Sequence, residues 1–335
     1  MSIADDNLQN LLTEGMEQVE RLLHEVVSQT NPIADASSRH LVSAGGKRLR
    51  PLLTLLTSFL GEGINDTVVQ AAVSVELIHL ATLYHDDVMD SAPLRRGVAS
   101  AHEVWGNSVA ILTGDLLLAR ASQLVADLGV AAVKLQAETF ERLCLGQLNE
   151  TVGLQEGETD PIAHYLQVLS DKTASLVATA ARFGAMFGGA SEQQIAQVGD
   201  FGEKLGVAFQ LYDDVIDLSS DPFVTGKTPG TDLRERVPTM PVLKLRARVA
   251  QASTAGGSAD RNDLELLALI DGDLSSDAQL GEVVARLNNH IVVTQTKEES
   301  RLWAQKAIDC LHELPVGPVK VALQNFAESL VERTH

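Results

Sequence analysis

Apolar residues recur at helical spacing along most of this chain, whereas stretches that alternate apolar and polar residues are few. Leu and Val lie three or four positions apart over residues 7–30, which predicts an amphipathic first helix that ends before Asn31-Pro32. The same spacing returns in the tail, from Leu311 to Val331. Gly- and Pro-rich breaks separate further apolar stretches of helical length. The pattern predicts an all-α chain.

A Ser-, Ala-, Gly- and Asp-rich stretch interrupts this pattern at residues 251–263, before helical spacing resumes at Leu264. It predicts an exposed, mobile loop rather than a domain boundary. No full-length internal repeat is found. We therefore expect one domain over residues 1–335.

Two copies of the motif Asp-Asp-x-x-Asp lie within apolar helical sequence. They are Asp86-Asp87-Val88-Met89-Asp90 and Asp213-Asp214-Val215-Ile216-Asp217. On a helix, positions i and i+4 share one face, where like charges repel unless a cation lies between them. Carboxylate oxygens suit Mg²⁺, which keeps several waters and is completed by substrate phosphates. One copy could be a solvated acidic face, but two copies in apolar surroundings favour a metal site.

Composition and charge narrow the classes of ligand. The chain is 45% hydrophobic and only 4% aromatic, which favours helix over sheet. Its net charge of −19 disfavours a nucleic acid or an anionic membrane as partner. The basic residues that do cluster form short motifs, whose size matches a diphosphate better than a polynucleotide.

The two cysteines are too few for a disulfide scaffold or a metal–sulfur cluster, so a reducing compartment fits. The first residues lack the basic and apolar regions of a signal peptide, and no run is expected to reach the length of a membrane span. These features predict a soluble, cytoplasmic protein without stable membrane insertion.

Several further residues are candidates for anion binding. Gly45-Gly46-Lys47-Arg48-Leu49-Arg50-Pro51 places flexible glycines before three cations, as a phosphate clamp or as a basic helix start. His79 lies seven residues before Asp86, on roughly the same face. A lone His in an apolar helix is more often a core residue, but Glu76-Leu77-Ile78-His79 leads directly to the aspartate motif, which favours a functional role. Arg95 and Arg96 follow the first aspartate motif after a Pro turn, where they could fold back over it and meet two phosphates. Weaker candidates are Gln210, Lys172-Thr173, and Lys227 in a Gly-rich loop.

Together these motifs resemble the trans-prenyltransferases, the all-E polyprenyl diphosphate synthases. The resemblance runs in order from about residue 43 to residue 245. The residues that carry it are both aspartate motifs, Gly45 to Pro51, Arg95-Arg96-Gly97, Phe209-Gln210-Leu211 and Gly226-Lys227. One aspartate motif alone would not be specific, but the ordered combination is.

The resemblance implies an all-α, single-domain isoprenoid-synthase helical bundle in which both aspartate motifs face a deep central cavity. It also implies a homodimer and Mg²⁺ as cofactor, with roughly two to three ions per active site. The implied metal ligands are Asp86, Asp90 and Asp213, supported by Asp87, Asp214 and Asp217. The implied ligands of the allylic diphosphate are Arg95, Lys172, Thr173, Gln210 and Lys227, and those of isopentenyl diphosphate are Lys47, Arg50, His79 and Arg96. The six aspartates with Lys172 and Lys227 form the implied catalytic set.

The implied reaction is successive head-to-tail condensation of isopentenyl diphosphate onto an allylic diphosphate. An allylic diphosphate ionises when the departing charge is neutralised, which metal ions and cations do without a protein nucleophile. The double bond of isopentenyl diphosphate then attacks the allyl cation, and proton loss completes one elongation. Water must be excluded because it would capture the cation.

Product length is predicted from the turns before Asp86, which are expected to line the cavity beneath the diphosphate. These positions are Ala81 and Thr82, with Leu77 and Ile78 a turn deeper. Short-chain members of the family tend to carry a bulky aromatic at a nearer position and many have an insertion in the first motif, whereas this chain has neither. We therefore expect a membrane-bound product of about C35–C50, for the side chain of a respiratory quinone, since no bulky side chain blocks the face one helical turn below Asp86.

Three alternatives compete with this reading. A short-chain farnesyl or geranylgeranyl diphosphate synthase would share every motif. A non-catalytic subunit of a heteromeric synthase typically loses an aspartate motif, and a class I terpene cyclase carries a different second metal motif. One departure from the family is Arg236, which stands where Gly is frequent and puts the flexibility of its loop in doubt.

Overall fold

The fold was analysed in a computed structural model, which describes residues 5–154, 159–219, 229–254 and 259–332. Over these ranges it is helical apart from one two-stranded hairpin, which confirms the all-α prediction. The first half contains α1 Asp6–Val26, α2 Pro32–Ser43, α3 Leu49–Ser58, α4 Asp66–Met89, β1 Leu94–Arg95, β2 Val98–Ala99, α5 Ala101–Trp105, α6 Asn107–Leu128 and α7 Val130–Val152. The second half contains α8 Pro161–Leu169, a π-helical turn Ser170–Ala174, α9 Ser175–Phe187, α10 Glu192–Ser219, α11 Thr231–Arg234, α12 Met240–Thr254, α13 Arg261–Ile270, α14 Asp277–Asn288, α15 Ile291–Cys310 and α16 Pro318–Val331.

The chain divides into two compact units. Unit 1 comprises Met1–Cys144, Ala174–Glu203 and Ala307–Phe326. Unit 2 comprises Leu145–Thr173, Lys204–Lys306 and Ala327–His335.

Helix α4 is the central element of unit 1 and packs against α1, α3, α6 and α9. Its side chains are apolar nearly all round because it is surrounded, and its acidic residues are Asp66 at its start, Glu76 in its middle and the aspartates of its last turn. Helices α3 and α9 approach closely, since a Cβ at Gly184 would overlap the backbone of Thr54. The Thr54 hydroxyl donates to the carbonyl of Ala180 at 3.0 Å. These contacts fix the helices around α4, and so fix the first aspartate motif.

Unit 2 has its own apolar core, built from α10, α12, α13, α14 and α15 around residues such as Val215, Leu245 and Leu287. Helix α8 packs against α12. A buried carboxylate ties this layer together, because Asp263 accepts from Arg248 at 2.7 Å and from His290 at 3.0 Å. The second aspartate motif lies on α10, which contributes to this core.

The hairpin directly follows the first aspartate motif. Leu94 pairs with Ala99 and Arg95 with Val98, so Arg96 and Gly97 form the two-residue turn. Both have positive φ, 54° and 78°, as a tight hairpin connection requires. The backbone therefore turns back directly after the aspartates and holds two arginines beside them.

Three sequence expectations about the elements need correction. Helix α1 ends at Val26, before the predicted boundary at residue 30, because the chain turns ahead of Asn31, whose side chain caps α2. The predicted loop at 251–263 is shorter than expected, since α12 continues to Thr254 and α13 begins at Arg261 after the cap of Asp260.

The third correction concerns apolar length. By length and composition alone, α4 and α6 are each apolar enough to cross a membrane, contrary to the expectation that no run reaches that length. In α4 the apolar stretch is 72% buried, as in a core helix, whereas in α6 only 33% is buried. Helix α6 thus has an exposed apolar face.

Candidate active site

The first aspartate motif ends helix α4. Asp90 is its C-cap, with its backbone N–H donating to the carbonyl of Asp86 at 2.8 Å. The Asp86 side chain is half-buried and that of Asp90 is exposed. Because four residues separate them, the two carboxylates share one face of the helix end, as the sequence predicts.

Asp87 faces the interior instead, and its side chain is completely buried. Its Oδ1 accepts from Nε of Arg95 at 2.6 Å and lies 2.6 Å from Nη2, whereas its Oδ2 is buried without a hydrogen-bond partner. Burial raises the pKa of Asp87, and the charge of Arg95 opposes that shift. Arg95, which the resemblance assigns to the allylic diphosphate, is therefore bound to the motif itself in this structure.

The basic motif, residues 45–51, also contains one inward-facing charge and others that face outward. Arg48 is buried, in the left-handed region at φ 46°, and caps the start of α3 without a side-chain hydrogen bond. Its guanidinium binds Glu20 at 2.7 Å and Glu76 at 2.8 Å. Burial alone would lower the pKa of Arg48, but these two carboxylates raise it overall. Its neighbours Lys47 and Arg50 are exposed and half-buried, so they are the members of the motif that reach outward.

Arg96 lies against the glycines of the same motif. Its Nη1 donates to the carbonyls of Leu41, at 3.1 Å, and Gly45, and its Nη2 lies 3.9 Å from Glu76. A Cβ on Gly46 would come within 2.9 Å of the Arg96 guanidinium carbon, so this glycine is required for the close approach. Arg96 therefore supports the loop as well as adding charge beside it.

His79 is half-buried, one turn above Glu76 on α4. Its pKa lies well below the ordinary value, first because of burial and then because of the arginine charges, foremost that of Arg50. A neutral imidazole among arginines can donate or accept a hydrogen bond without adding charge. The structure thus brings His79 together with Arg50 and Arg96, two of the predicted cations for isopentenyl diphosphate.

The residues assigned to product length lie on the turns of α4 below the aspartates. Leu77, Ile78 and Ala81 are buried. Thr82 is half-buried, with its hydroxyl donating to the carbonyl of His79 at 2.8 Å. Thr82 is therefore the accessible member of this set.

The second aspartate motif repeats the division seen in the first. Asp213 and Asp217 are half-buried on one face of α10, together with Gln210. Asp214 is buried, and its Oδ2 accepts from the hydroxyl of Tyr165 at 2.9 Å and from the backbone N–H of Met240 at 3.1 Å. Burial raises the pKa of Asp214 well above its usual range, against the effect of both hydrogen bonds.

Lys172 and Thr173 lie in the π-helical turn between α8 and α9, a feature that often marks functional sites. Lys172 forms an ion pair with Glu150, and a Cβ on Gly146 would come within 2.5 Å of the Lys172 backbone nitrogen. The Thr173 hydroxyl donates to the side-chain oxygen of Gln210 at 3.3 Å. Unit 2 therefore groups four predicted residues, Lys172, Thr173, Gln210 and Asp213, whereas Lys227 lies outside the described residues.

Comparison with known proteins decides the family. The model of the polyprenyl synthetase family matches residues 31–261. This chain belongs to the polyprenyl synthetase family. Membership makes it a prenyltransferase and agrees with the resemblance carried by its motifs.

Its relatives include producers of both long and short chains. The chain is 42% identical to nonaprenyl diphosphate synthase of Mycobacterium tuberculosis over 320 residues, which cover 95% of this chain and 92% of the relative. It is similar to a solved structure of geranylgeranyl pyrophosphate synthase from Corynebacterium glutamicum complexed with calcium and isoprenyl diphosphate, with a TM-score of 0.84, 40% identity and 99% of each chain covered. A decaprenyl diphosphate synthase from Rhodobacter capsulatus matches with a TM-score of 0.84 and 34% identity over 98% of this chain and 99% of its own.

The acidic residues of this polyprenyl synthetase family member fit a hard divalent cation bound together with a ligand. No group of three or more His, Cys, Asp or Glu able to hold a metal occurs among the residues that the structure describes. Each motif instead offers an outward-facing carboxylate pair, Asp86 with Asp90 and Asp213 with Asp217. Magnesium is typically held by one or two carboxylates and completed by water and substrate phosphates. The donor set therefore suits an ion that arrives with a diphosphate.

Three supporting residues received no role of their own in the sequence analysis: Glu76, Glu150 and Tyr165. Glu76 binds the two inward arginines, Glu150 binds Lys172, and Tyr165 binds Asp214. Glu76 carried one signal, an acidic residue within an otherwise apolar helix. The other two carried none, because their partners are far away in sequence.

Proposed function

We propose that this prenyltransferase is an all-trans polyprenyl diphosphate synthase that forms a product of about C35–C50. The length follows from the lack of a bulky residue one helical turn below Asp86. The observation that carries the proposal is the likeness to nonaprenyl diphosphate synthase over nearly the whole chain, with both aspartate pairs facing outward. Small side chains at Ala81 and Thr82 support the longer product. A short-chain product is the second candidate, favoured by the likeness to geranylgeranyl pyrophosphate synthase at 40% identity.

The substrates proposed are isopentenyl diphosphate and an allylic diphosphate. Lys47, Arg50 and His79 supply the charge and hydrogen bonding for the diphosphate of the first. Lys172, Thr173 and Gln210 bind the diphosphate of the second. Lys172 now neutralises Glu150, so binding of that diphosphate exchanges one anionic partner of the lysine for another.

The proposed cofactor is Mg²⁺, roughly two to three ions, for which each outward carboxylate pair, Asp86 with Asp90 and Asp213 with Asp217, supplies ligands. When bound, divalent cations neutralise the diphosphate as it leaves. The buried aspartates Asp87 and Asp214 do not face this cation; they hold Arg95 and Tyr165 and so fix the helix ends that carry the outward carboxylates. Ionisation of the allylic carbon–oxygen bond needs no protein nucleophile, because the diphosphate takes the electron pair.

A homodimer is proposed from helix α6. Its exposed side chains include two large apolar ones, Ile111 at 42% and Leu112 at 65% exposure. A long apolar helix of which only 33% is buried often marks a protein interface. We place the enzyme in the cytoplasm, as expected from its sequence, with a membrane-bound product destined for a quinone side chain.

The test is an incubation of the purified protein with labelled isopentenyl diphosphate, farnesyl diphosphate and Mg²⁺, followed by separation of the dephosphorylated products by length. We expect a ladder of products that ends between seven and ten isoprene units. Each added unit would need a further length of tunnel about equal to one helical turn. Products that stop at fifteen or twenty carbons would establish the short-chain alternative. No condensation, in a preparation shown by circular dichroism to be folded, would favour a non-catalytic subunit.

A further inference from the structure

A single buried carboxylate connects the segments that carry the predicted isopentenyl diphosphate ligands. Glu76 of α4 is 2% exposed. It accepts from Arg48 at 2.8 Å and lies 3.9 Å from Arg96 of the hairpin. Arg48 also reaches Glu20 of α1 at 2.7 Å. Four separate segments of unit 1 thus meet at one ion-pair network.

The two arginines in this network bind backbone carbonyls of the last turn of α2 and of the glycine loop that follows it. Arg48 donates to the carbonyl of Val42 at 3.1 Å, while Arg96 donates to those of Leu41 and Gly45. Gly46 lies against the flat face of Arg96. The end of α2 and Gly45 are therefore held just before Lys47 by two arginines that both lie beside Glu76.

Charge makes Glu76 hard to replace. The arginines at 48, 50, 95 and 96 all act on His79, so this region is strongly cationic. Glu20 shares Arg48 but is 38% exposed, where solvent weakens its effect. Without Glu76, Glu20 would be the one remaining acid beside Arg48 that the structure describes, and Arg96 would lose its nearby acid. A buried ion left with a broken pair is strongly destabilising.

We propose that Glu76 is a positioning residue for the isopentenyl diphosphate site: through Arg48 and Arg96 it fixes the loop that presents Lys47 and Arg50 to the diphosphate. It does not touch the substrate. This inference rests on the proposed function for the identity of the ligand, but the loop geometry stands on the contacts alone. A role in stability only is the competing explanation, and substrate kinetics separate the two.

The test is the variant Glu76→Gln, with Glu20→Gln as the matched control because it also contacts Arg48 but not Arg96. Initial rates are measured against each substrate separately, at a temperature where circular dichroism shows every variant folded. For Glu76→Gln we expect the KM for isopentenyl diphosphate to rise about tenfold or more, as for loss of an orienting partner. The KM for the allylic diphosphate and kcat should change less than about threefold. Glu20→Gln should leave both KM values within about twofold, as for an exposed ion pair.

A second readout does not depend on catalysis. Amide hydrogen exchange of a peptide covering residues 41–50 should be faster in Glu76→Gln than in the wild type, and unchanged in Glu20→Gln. If Glu76→Gln does not fold, Glu76→Asp replaces it, since a shorter carboxylate keeps the charge and shifts its position. Equal increases in both KM values, or unchanged kinetics with unchanged loop exchange, would overturn the inference. A wild-type protein that performs no condensation would instead refute the proposed function, and the exchange comparison would still decide whether Glu76 holds the loop.

Discussion

The two aspartates that open the second motif should respond in opposite ways to removal of their charge. Asp214 is buried and accepts two hydrogen bonds, from the Tyr165 hydroxyl and the Met240 backbone N–H. Asp213 is half-buried on the outward face of α10. We therefore expect Asp214 to determine stability and Asp213 to determine condensation.

The magnitudes follow from what each variant leaves unpaired. Asp214→Ala strands two buried donors, each worth about 1 to 3 kcal/mol, so unfolding free energy should fall by about 2 to 6 kcal/mol. Asp214→Asn keeps an oxygen for both donors and removes a charge that burial already disfavours, as the raised pKa of Asp214 indicates. Its unfolding free energy should change by less than about 1 kcal/mol. Asp213→Asn should leave stability within about 0.5 kcal/mol, as for other accessible positions.

The assay combines urea unfolding, followed by circular dichroism, with the rate of labelled isopentenyl diphosphate incorporation. Asp213→Asn should lose about 100-fold or more in rate, as expected for loss of a group that stabilises developing charge. Asp214→Asn should retain most of its rate, and Tyr165→Phe should reproduce a modest part of the stability loss. A folded Asp214→Asn enzyme as inactive as Asp213→Asn would refute the inward assignment of Asp214.

Three other predictions address pH, backbone strain and product length. Burial raises the pKa of Tyr84 to about 12, so the neutral phenol stabilises the fold fully below its unfolded pKa near 10. That stability, about 2 to 3 kcal/mol, is lost as the pH rises towards 12. The urea midpoint should therefore fall less between pH 8 and 12 in Tyr84→Phe than in the wild type, and an equal fall in both proteins would contradict this. Arg236 has a φ of 62°, a left-handed conformation that costs a residue with a Cβ more than it costs glycine. Arg236→Gly should therefore be more stable than Arg236→Ala, by about 1 kcal/mol in unfolding free energy, and should have the higher thermal midpoint. The reverse order of midpoints would show that no strain is stored at this position. Ala81→Phe should shorten the product sharply. Thr82→Phe should also shorten it, with less loss of stability because Thr82 is only half-buried. An unchanged product length in both variants would show that this part of α4 does not face the growing chain.

The fold was predictable from sequence because its signal is local. Helical periodicity and Gly or Pro breaks report on neighbours a few residues apart, and they identified the helices around both motifs. Boundaries were less accurate, as the end of α1 at Val26 and the continuation of α12 to Thr254 show. In both cases capping and packing, rather than composition, decide where the helix ends.

The outward half of the candidate site was also predictable, since spacing of i and i+4 places Asp86 with Asp90 on one face. What could not be predicted is which cations are already engaged within the protein. Arg95 binds Asp87, and Lys172 binds Glu150 across 22 residues of sequence. Such pairings depend on tertiary contacts, and no local pattern reports them.

The charged motifs share one arrangement that explains why each contains adjacent like charges. Consecutive residues on a helix point about 100° apart, so a pair of adjacent aspartates cannot both face one ligand. In each motif the second aspartate turns inward and is held by the protein, Asp87 by Arg95 and Asp214 by Tyr165 and Met240. The first then remains on the outward face at a fixed position.

The basic loop follows the same logic with the opposite sign. Arg48 turns inward to Glu76 and Glu20, which leaves Lys47 and Arg50 on the outside. An inward charge of this kind costs desolvation and is kept only because its partner is also fixed. The buried pairs therefore fix the orientation of the outward charges, since the helix end or loop that carries them cannot rotate without breaking a buried pair. Substitutions that break an inward pair should then lower stability or loosen the helix end or loop that the pair holds, whereas those at outward positions should alter the charge at the ligand.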